Sequence, residues 1–122
     1  MYCAGEGDTV IVVTGASGNI GGAILKHLFA QFKYPTLAPT HSEMPVESAL
    51  AVSRVFGKHD SNIDILVCAH GIYGEAARVE DSDPWLWRHA LEVNLLGTYN
   101  VCRFAIPKMR PGGLIVNIAG GG

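Results

Sequence analysis

The stretch Thr9-Val-Ile-Val-Val-Thr14-Gly15-Ala16-Ser17-Gly18-Asn19-Ile20-Gly21 decides the fold. Its first six residues are all β-branched, with no polar alternation, which suits a strand covered on both faces in a parallel sheet. Glycines then recur at every third position. Only glycine permits so tight a turn together with close approach of another group to the backbone. From Ile20 to Phe32 apolar residues return at helical spacing, with Ile20, Ile24 and Leu28, then Gln31 and Phe32, expected on one face. Strand, glycine turn and helix thus follow one another directly. Free amides at a helix N-terminus after such a turn hold a phosphate, so Gly15, Ala16, Ser17, Gly18, Asn19, Ile20 and Gly21 are candidate residues for a dinucleotide pyrophosphate.

Working outward, the same alternation repeats. Lys33 to Pro39 supplies a short second strand, confined by Pro35 and Pro39. Pro45 is placed to open the next helix, with Val46, Leu50, Val52, Val55 and Phe56 as its buried stripe and Gly57 as its end. Ile63 to Ala69 reads as another buried strand that runs into Gly71. Asp83-Pro84 is a strong helix start, and that helix is expected to reach about Ala105, tolerating Gly97 and burying Leu91, Leu95 and Val101. Trp85 and Trp87 near its start read as core or interface packing. Pro107 and Pro111-Gly112-Gly113 then break the pattern, and Leu114 to Ile118 is a last buried strand. The predicted class is α/β, a parallel sheet with right-handed crossovers.

Composition narrows the function classes. The 122 residues are 48% hydrophobic and 16% charged with a formal net charge of −2, which suits one domain, residues 1–122, with no electrostatic footprint for nucleic acid or an anionic membrane. Cys3, Cys68 and Cys102 form neither a CxxC pair nor a zinc-like spacing, so no metal site is expected and reduced thiols in a cytoplasmic setting are the default. No signal peptide or membrane span is expected. Where dinucleotide folds often place an acidic residue for the adenosine ribose, Thr36 to Ser42 contain none; Lys33 and His41 stand near where a 2′-phosphate would lie, or are solvated surface residues.

With these segments placed, the chain resembles the short-chain dehydrogenase/reductase family over essentially its whole length. Four blocks match in order: Thr14 to Gly21, Cys68-Ala69-His70-Gly71, Val93-Asn94-Leu95-Leu96-Gly97, and Gly113 to Ile118. The resemblance implies a Rossmann-type doubly wound parallel sheet, NAD or NADP as cofactor, and hydride transfer to or from a small carbonyl or alcohol substrate. It further implies that Ala69 and Gly71 line the adenosine-ribose side of the cleft with Cys68 also among the cofactor-binding residues, that Asn94 matches the active-site asparagine of a proton relay, and that the full-length protein is a homo-oligomer. A lone helical asparagine otherwise bonds to nearby backbone.

Departures from the family pattern shape the rest. Cys68-Ala69-His70-Gly71 stands where the family has Asn-Asn-Ala-Gly; His70 replaces one of those hydrogen-bonding groups or simply sits beside the cofactor. The family's acid/base tyrosine with a lysine four residues on is not found in the sequence, since Tyr2, Tyr34, Tyr73 and Tyr99 are followed at that spacing by Glu6, Ala38, Ala77 and Arg103. Gly120 falls at the substrate-orienting serine. The sheet is therefore expected to be truncated after the fifth-strand motif, leaving a fragment that is inactive and marginally stable alone. The TGxxGxxG spacing and short second segment keep a sugar-nucleotide epimerase or reductase fragment open, and a non-catalytic dinucleotide-binding module is the other alternative.

Overall fold

A computed structural model describes residues 9–32, 34–60 and 62–120. Lys33, expected near a 2′-phosphate, and Cys3 lie outside the described residues. In chain order the elements are β1 (Val10–Thr14), α1 (Asn19–Gln31), β2 (Thr36–Leu37), α2 (Ala49–Gly57), β3 (Ile63–Cys68), α3 (Pro84–Leu91), α4 (Gly97–Ala105) and β4 (Met109–Asn117). The strands form one sheet in the order β2-β1-β3-β4, and every pairing is parallel.

Pleating sends alternate residues of each strand to opposite faces. Val12, Leu66 and Cys68 point to one face, where α2 and α4 supply Val52, Phe56, Val101 and Ala105. Ile11, Val13 and Val67 point to the other, against Ile24, Leu25 and Leu28 of α1. Helices thus cover both faces, the doubly wound arrangement. Each fully buried Val, Leu or Phe contributes about 1.5–3 kcal/mol.

Several sequence expectations are corrected. Pro45 does not open α2; Ser48 does, its hydroxyl accepting from the Ala51 N–H at 3.2 Å, and Leu50 is 59% exposed. Val46 is buried as expected, from the turn before the helix. On α1, Ile20 and Phe32 are exposed, so Ile24, Leu25 and Leu28 carry the contact with the sheet. The long helical segment begins at Pro84 with Asp83 as its cap, as expected, but Leu91 and Leu95 face outward and Trp85 and Trp87 are exposed. Val101 is buried as expected, and the other inward positions are Val93, Gly97, Asn100 and Ala105. The physical reason is close approach: a Cβ on Gly97 would lie 2.6 Å from Val46 Cγ2, so the small residue, and not the large ones, marks the contact. Asn100 is buried there with its Nδ2 donating to the Val46 carbonyl at 3.0 Å.

The last strand starts at Met109, five residues before the expected Leu114. Between the pairs Ile63↔Met109 and Ile65↔Leu114 β3 advances two residues while β4 advances five, so Arg110 to Gly113 bulge out, with Gly112 at φ +80°. Among the described residues β4 is a sheet edge, which is where a proline in a strand is tolerated.

Candidate functional site

All four strands run the same way, so their C-terminal ends converge on one rim of the sheet, where ligands of open α/β sheets bind. The turn after β1 is built from backbone. Gly15 sits at φ +67°, and a Cβ there would lie 2.5 Å from the Ala69 carbonyl oxygen, so any side chain would be strained and would push β1 from β3. A Cβ on Gly21 would collide with the Gly15 carbonyl. Gly18 N–H donates to the Gly15 carbonyl at 3.0 Å and closes the turn. Gly18 is also the N-cap of α1, yet no side chain caps that end and no acidic residue occupies its first turn. The end therefore carries partial positive charge without an internal counter-group.

Two clefts flank this turn. The first is lined by Thr14, Gly15, Ser17 and Gly18 on one side and by Pro39, His41, Met44 and Val46 on another, with Ala69 to Ile72 between them. The second is lined by Gly18, Asn19, Ile20, Cys68 to Tyr73, Asn94, Thr98, Asn117, Ile118 and Gly120. Of the residues expected to bind a cofactor, Gly15, Ser17, Gly18, Asn19, Ile20, Cys68, Ala69 and Gly71 border one or both clefts. Ala16 and Gly21 border neither; Gly21 is buried and spaces the turn from α1. Cys68 is 4% exposed and packs into the α2/α4 core. Burial, with the neighbouring Cys102 thiol, pushes its pKa up to about 12, so it is a protonated, inert thiol at neutral pH.

Asn94 lies in a five-residue π-helical segment, Glu92–Leu96, that joins α3 to α4. Such expansions concentrate at functional sites. Both ends of its carboxamide bond to one residue: Oδ1 accepts from the Ile72 N–H and Nδ2 donates to the Ile72 carbonyl, both at 2.8 Å. Asn94 thereby fixes the loop that leaves β3. Gly71 passes beneath it, since a Cβ on Gly71 would lie 3.3 Å from Asn94 Oδ1.

Sequence reasoning missed the side-chain contacts of His70. Its Nδ1 is 2.6 Å from Thr14 Oγ1 and its Nε2 is 3.0 Å from Thr98 Oγ1. Burial pushes its pKa down and Glu47 opposes this, so the ring is neutral at physiological pH. No local pattern could announce contacts 56 and 28 residues apart in sequence. His41 lines the first cleft and its Nε2 lies 3.2 Å from Glu47 Oε1. Tyr99 is 57% exposed. No group of three or more His, Cys, Asp or Glu side chains among the described residues could hold a metal ion. No helix there is long and apolar enough to cross a membrane.

A doubly wound parallel sheet with a glycine turn opening its first helix defines a Rossmann-type protein. Residues 9–121 match the family model described as Enoyl-(Acyl carrier protein) reductase. An uncharacterized short-chain type dehydrogenase/reductase of Sinorhizobium fredii is 30% identical over 130 residues, covering 90% of this chain and 24% of that protein. A short chain dehydrogenase of Aspergillus terreus is 35% identical over 78 residues, covering 60% of this chain and 16% of its own length. Among solved structures, a small-chain dehydrogenase in complex with NADPH superposes with a TM-score of 0.84 at 21% identity, covering 93% of this chain and 51% of that one. The Thermoplasma acidophilum aldohexose dehydrogenase gives a TM-score of 0.72 at 28% identity, covering 93% and 49%. The chain belongs to the short-chain dehydrogenase/reductase family, and it spans about a quarter or less of those curated relatives and about half of those structures.

Proposed function

We propose that these residues form the dinucleotide-binding part of an NAD(P)-dependent oxidoreductase that moves hydride between the cofactor and a small carbonyl or alcohol substrate. The observation that carries the reading is the uncapped N-terminus of α1 behind a turn that only glycine can make, facing two clefts at the C-terminal rim of the sheet. Gly15 to Gly21 form the cradle: Ser17 to Ile20 hold the phosphates, while Gly15, Ala16 and Gly21 shape the turn. Ala69 and Gly71 border the adenosine-ribose side, with Cys68 as buried support. A bound nicotinamide group would supply the hydride. Asn94 holds the Ile72 loop at the edge of the second cleft and contributes through that placement. A tyrosine with a lysine four residues on, the family's acid/base pair, is not found in these 122 residues. The same fact favours, as a second reading, a module that binds dinucleotide without turning it over. The exposed apolar side chains of Trp85, Trp87, Leu91, Leu95 and Leu96 along one helical segment support a homo-oligomeric full-length protein.

Calorimetric titration with NADH and with NADPH tests the reading. Binding of at least one is expected, weakened at least about 100-fold, or about 2.7 kcal/mol, in Gly15→Val. Binding of neither, or wild-type affinity in a folded Gly15→Val protein, overturns it. Binding without turnover across a carbonyl panel selects the second reading.

A further inference from the structure

One side chain joins the two clefts. His70 borders both, while Thr14, at one ring nitrogen, borders the first and Thr98, at the other, borders the second. The chain of contacts continues, since the Thr98 hydroxyl lies 2.9 Å from the backbone carbonyl oxygen of Asn94. The end of β1, the end of β3 and the π-helical segment are thereby connected through hydrogen bonds that no strand or helix requires.

Proton counting restricts how this network can be wired. Each hydroxyl has one proton to donate and a neutral imidazole has one N–H. With the proton on Nε2, Thr14 donates to Nδ1 at 2.6 Å, Nε2 donates to Thr98 at 3.0 Å, and Thr98 donates to the Asn94 carbonyl at 2.9 Å. With the proton on Nδ1, the Thr14 hydroxyl must turn to the Val67 carbonyl at 3.4 Å, beyond the usual O–H···O length. Thr98 then turns to Nε2, and the Asn94 carbonyl loses its hydroxyl donor. The first wiring makes three bonds of ordinary length, whereas the second exchanges one of them for a long one.

We propose that His70 is a positioning residue: in its Nε2–H tautomer it ties Thr14 of the first cleft to Thr98 and the Asn94 carbonyl of the second, so that the glycine turn and the Asn94 turn keep a fixed spacing. Conversion to the Nδ1–H tautomer releases the Asn94 carbonyl without breaking the tie to Thr14. The tie spans the clefts assigned above to the dinucleotide, and its effect on binding rests on that reading; the tautomer does not.

Nitrogen-15 NMR of the imidazole in the intact protein, with the His70 signals assigned by their loss in His70→Gln, reads the tautomer directly. The expected result is a protonated Nε2 and a bare Nδ1 in slow exchange; an Nδ1–H ring, or one averaged between both forms, overturns the proposal. Thr98→Val should abolish the single tautomer and Thr98→Ser should keep it, and an unaltered ring in Thr98→Val counts against the tie. In titrations with NADH and NADPH, His70→Ala should weaken binding about tenfold, and His70→Gln, which can accept and donate at similar reach, should recover most of it. Unchanged affinity in His70→Ala removes the positioning role. Failure of the unaltered protein to bind either dinucleotide rejects the proposed function and leaves the tautomer result standing.

Discussion

Two helix starts in this molecule are built in opposite ways. At α3, Asp83 accepts the Trp85 N–H at 2.8 Å and Pro84 has no N–H to satisfy, so the end is closed by its own sequence. At α1, Gly18 brings no side chain, no carboxylate lies in the first turn, and the end borders both clefts. A helix whose only task is structural satisfies its orphan amides locally. One that leaves them free, beside a turn whose Gly15 position no side chain can occupy, is open to an anion from outside. The two starts can be tested against each other by exchanging their chemistry.

The largest effect is expected from giving α1 a cap like that of α3. Gly18 has φ −80° and ψ 171°, extended backbone that any residue adopts, and its Cβ would meet only the Gly15 carbonyl at 3.3 Å. Gly18→Asp should therefore fold normally, with a melting temperature equal to or above wild type, because the carboxylate satisfies the free amides and faces the positive end of the helix. It should also lose dinucleotide binding by more than about 100-fold, since a fixed negative charge then occupies the place of a phosphate. Calorimetry and thermal unfolding of the same preparation separate the two effects, and retained binding would show that α1 is not the anion site.

This contrast also explains what could be read from sequence. Gly15 and Gly21 were legible because sterics leave one residue type at those two positions, Gly18 because it completes the spacing of the turn, and Asp83-Pro84 because capping chemistry is local. The parallel sheet was legible from the β-branched run of β1 and the apolar run of β3, which only Asp64 interrupts. What failed depended on partners far along the chain. The inward face of the long helical segment was assigned to Leu91, Leu95 and Val101; Val101 is buried, whereas Leu91 and Leu95 are exposed and Gly97 makes the close contact with Val46. Pro45 was assigned the start of α2 because it suits a first turn, yet Ser48 three residues later caps the helix. The π-helical insertion around Asn94 has no sequence signature of its own, and the partners of His70 are set by tertiary placement alone.

A smaller effect is expected at the closed end. Asp83→Ala removes the bond to Trp85 N–H from an exposed helix start, leaving Pro84 and the tertiary packing intact. The expected cost is about 1 kcal/mol of stability with no change in dinucleotide affinity. Chemical denaturation and calorimetry read the two quantities. A loss of affinity in this variant would show that α3 supports the site directly and would dissolve the distinction between the two helix starts.

The smallest expected effect concerns pH, and it separates the glycine turn, which has no titratable side chain, from the His70 tie. Burial lowers the pKa of His70 in the folded protein below its ordinary value of 6.5, with Glu47 opposing the shift. The unfolded chain therefore takes up a proton at a higher pH than the folded one does, and stability falls as pH drops through about 6.5 and levels off only below the folded pKa. The carboxylates with shifted values, Glu43 and Glu47, are lowered from 4.5, so their contribution is lost in a more acidic window and does not blur this one. At pH 6 the penalty has a ceiling of about 0.8 kcal/mol, the free energy of protonating an unfolded imidazole of ordinary pKa. Solvent screening at a half-buried ring keeps the observed value below that ceiling. Denaturation midpoints at pH 7.5 and pH 6 should show this decline in the unaltered protein and a smaller one in His70→Gln, whose amide does not titrate. Equal declines in both would place the acid sensitivity in some other histidine and would mean that burial of the His70 ring does not disfavour its charged form.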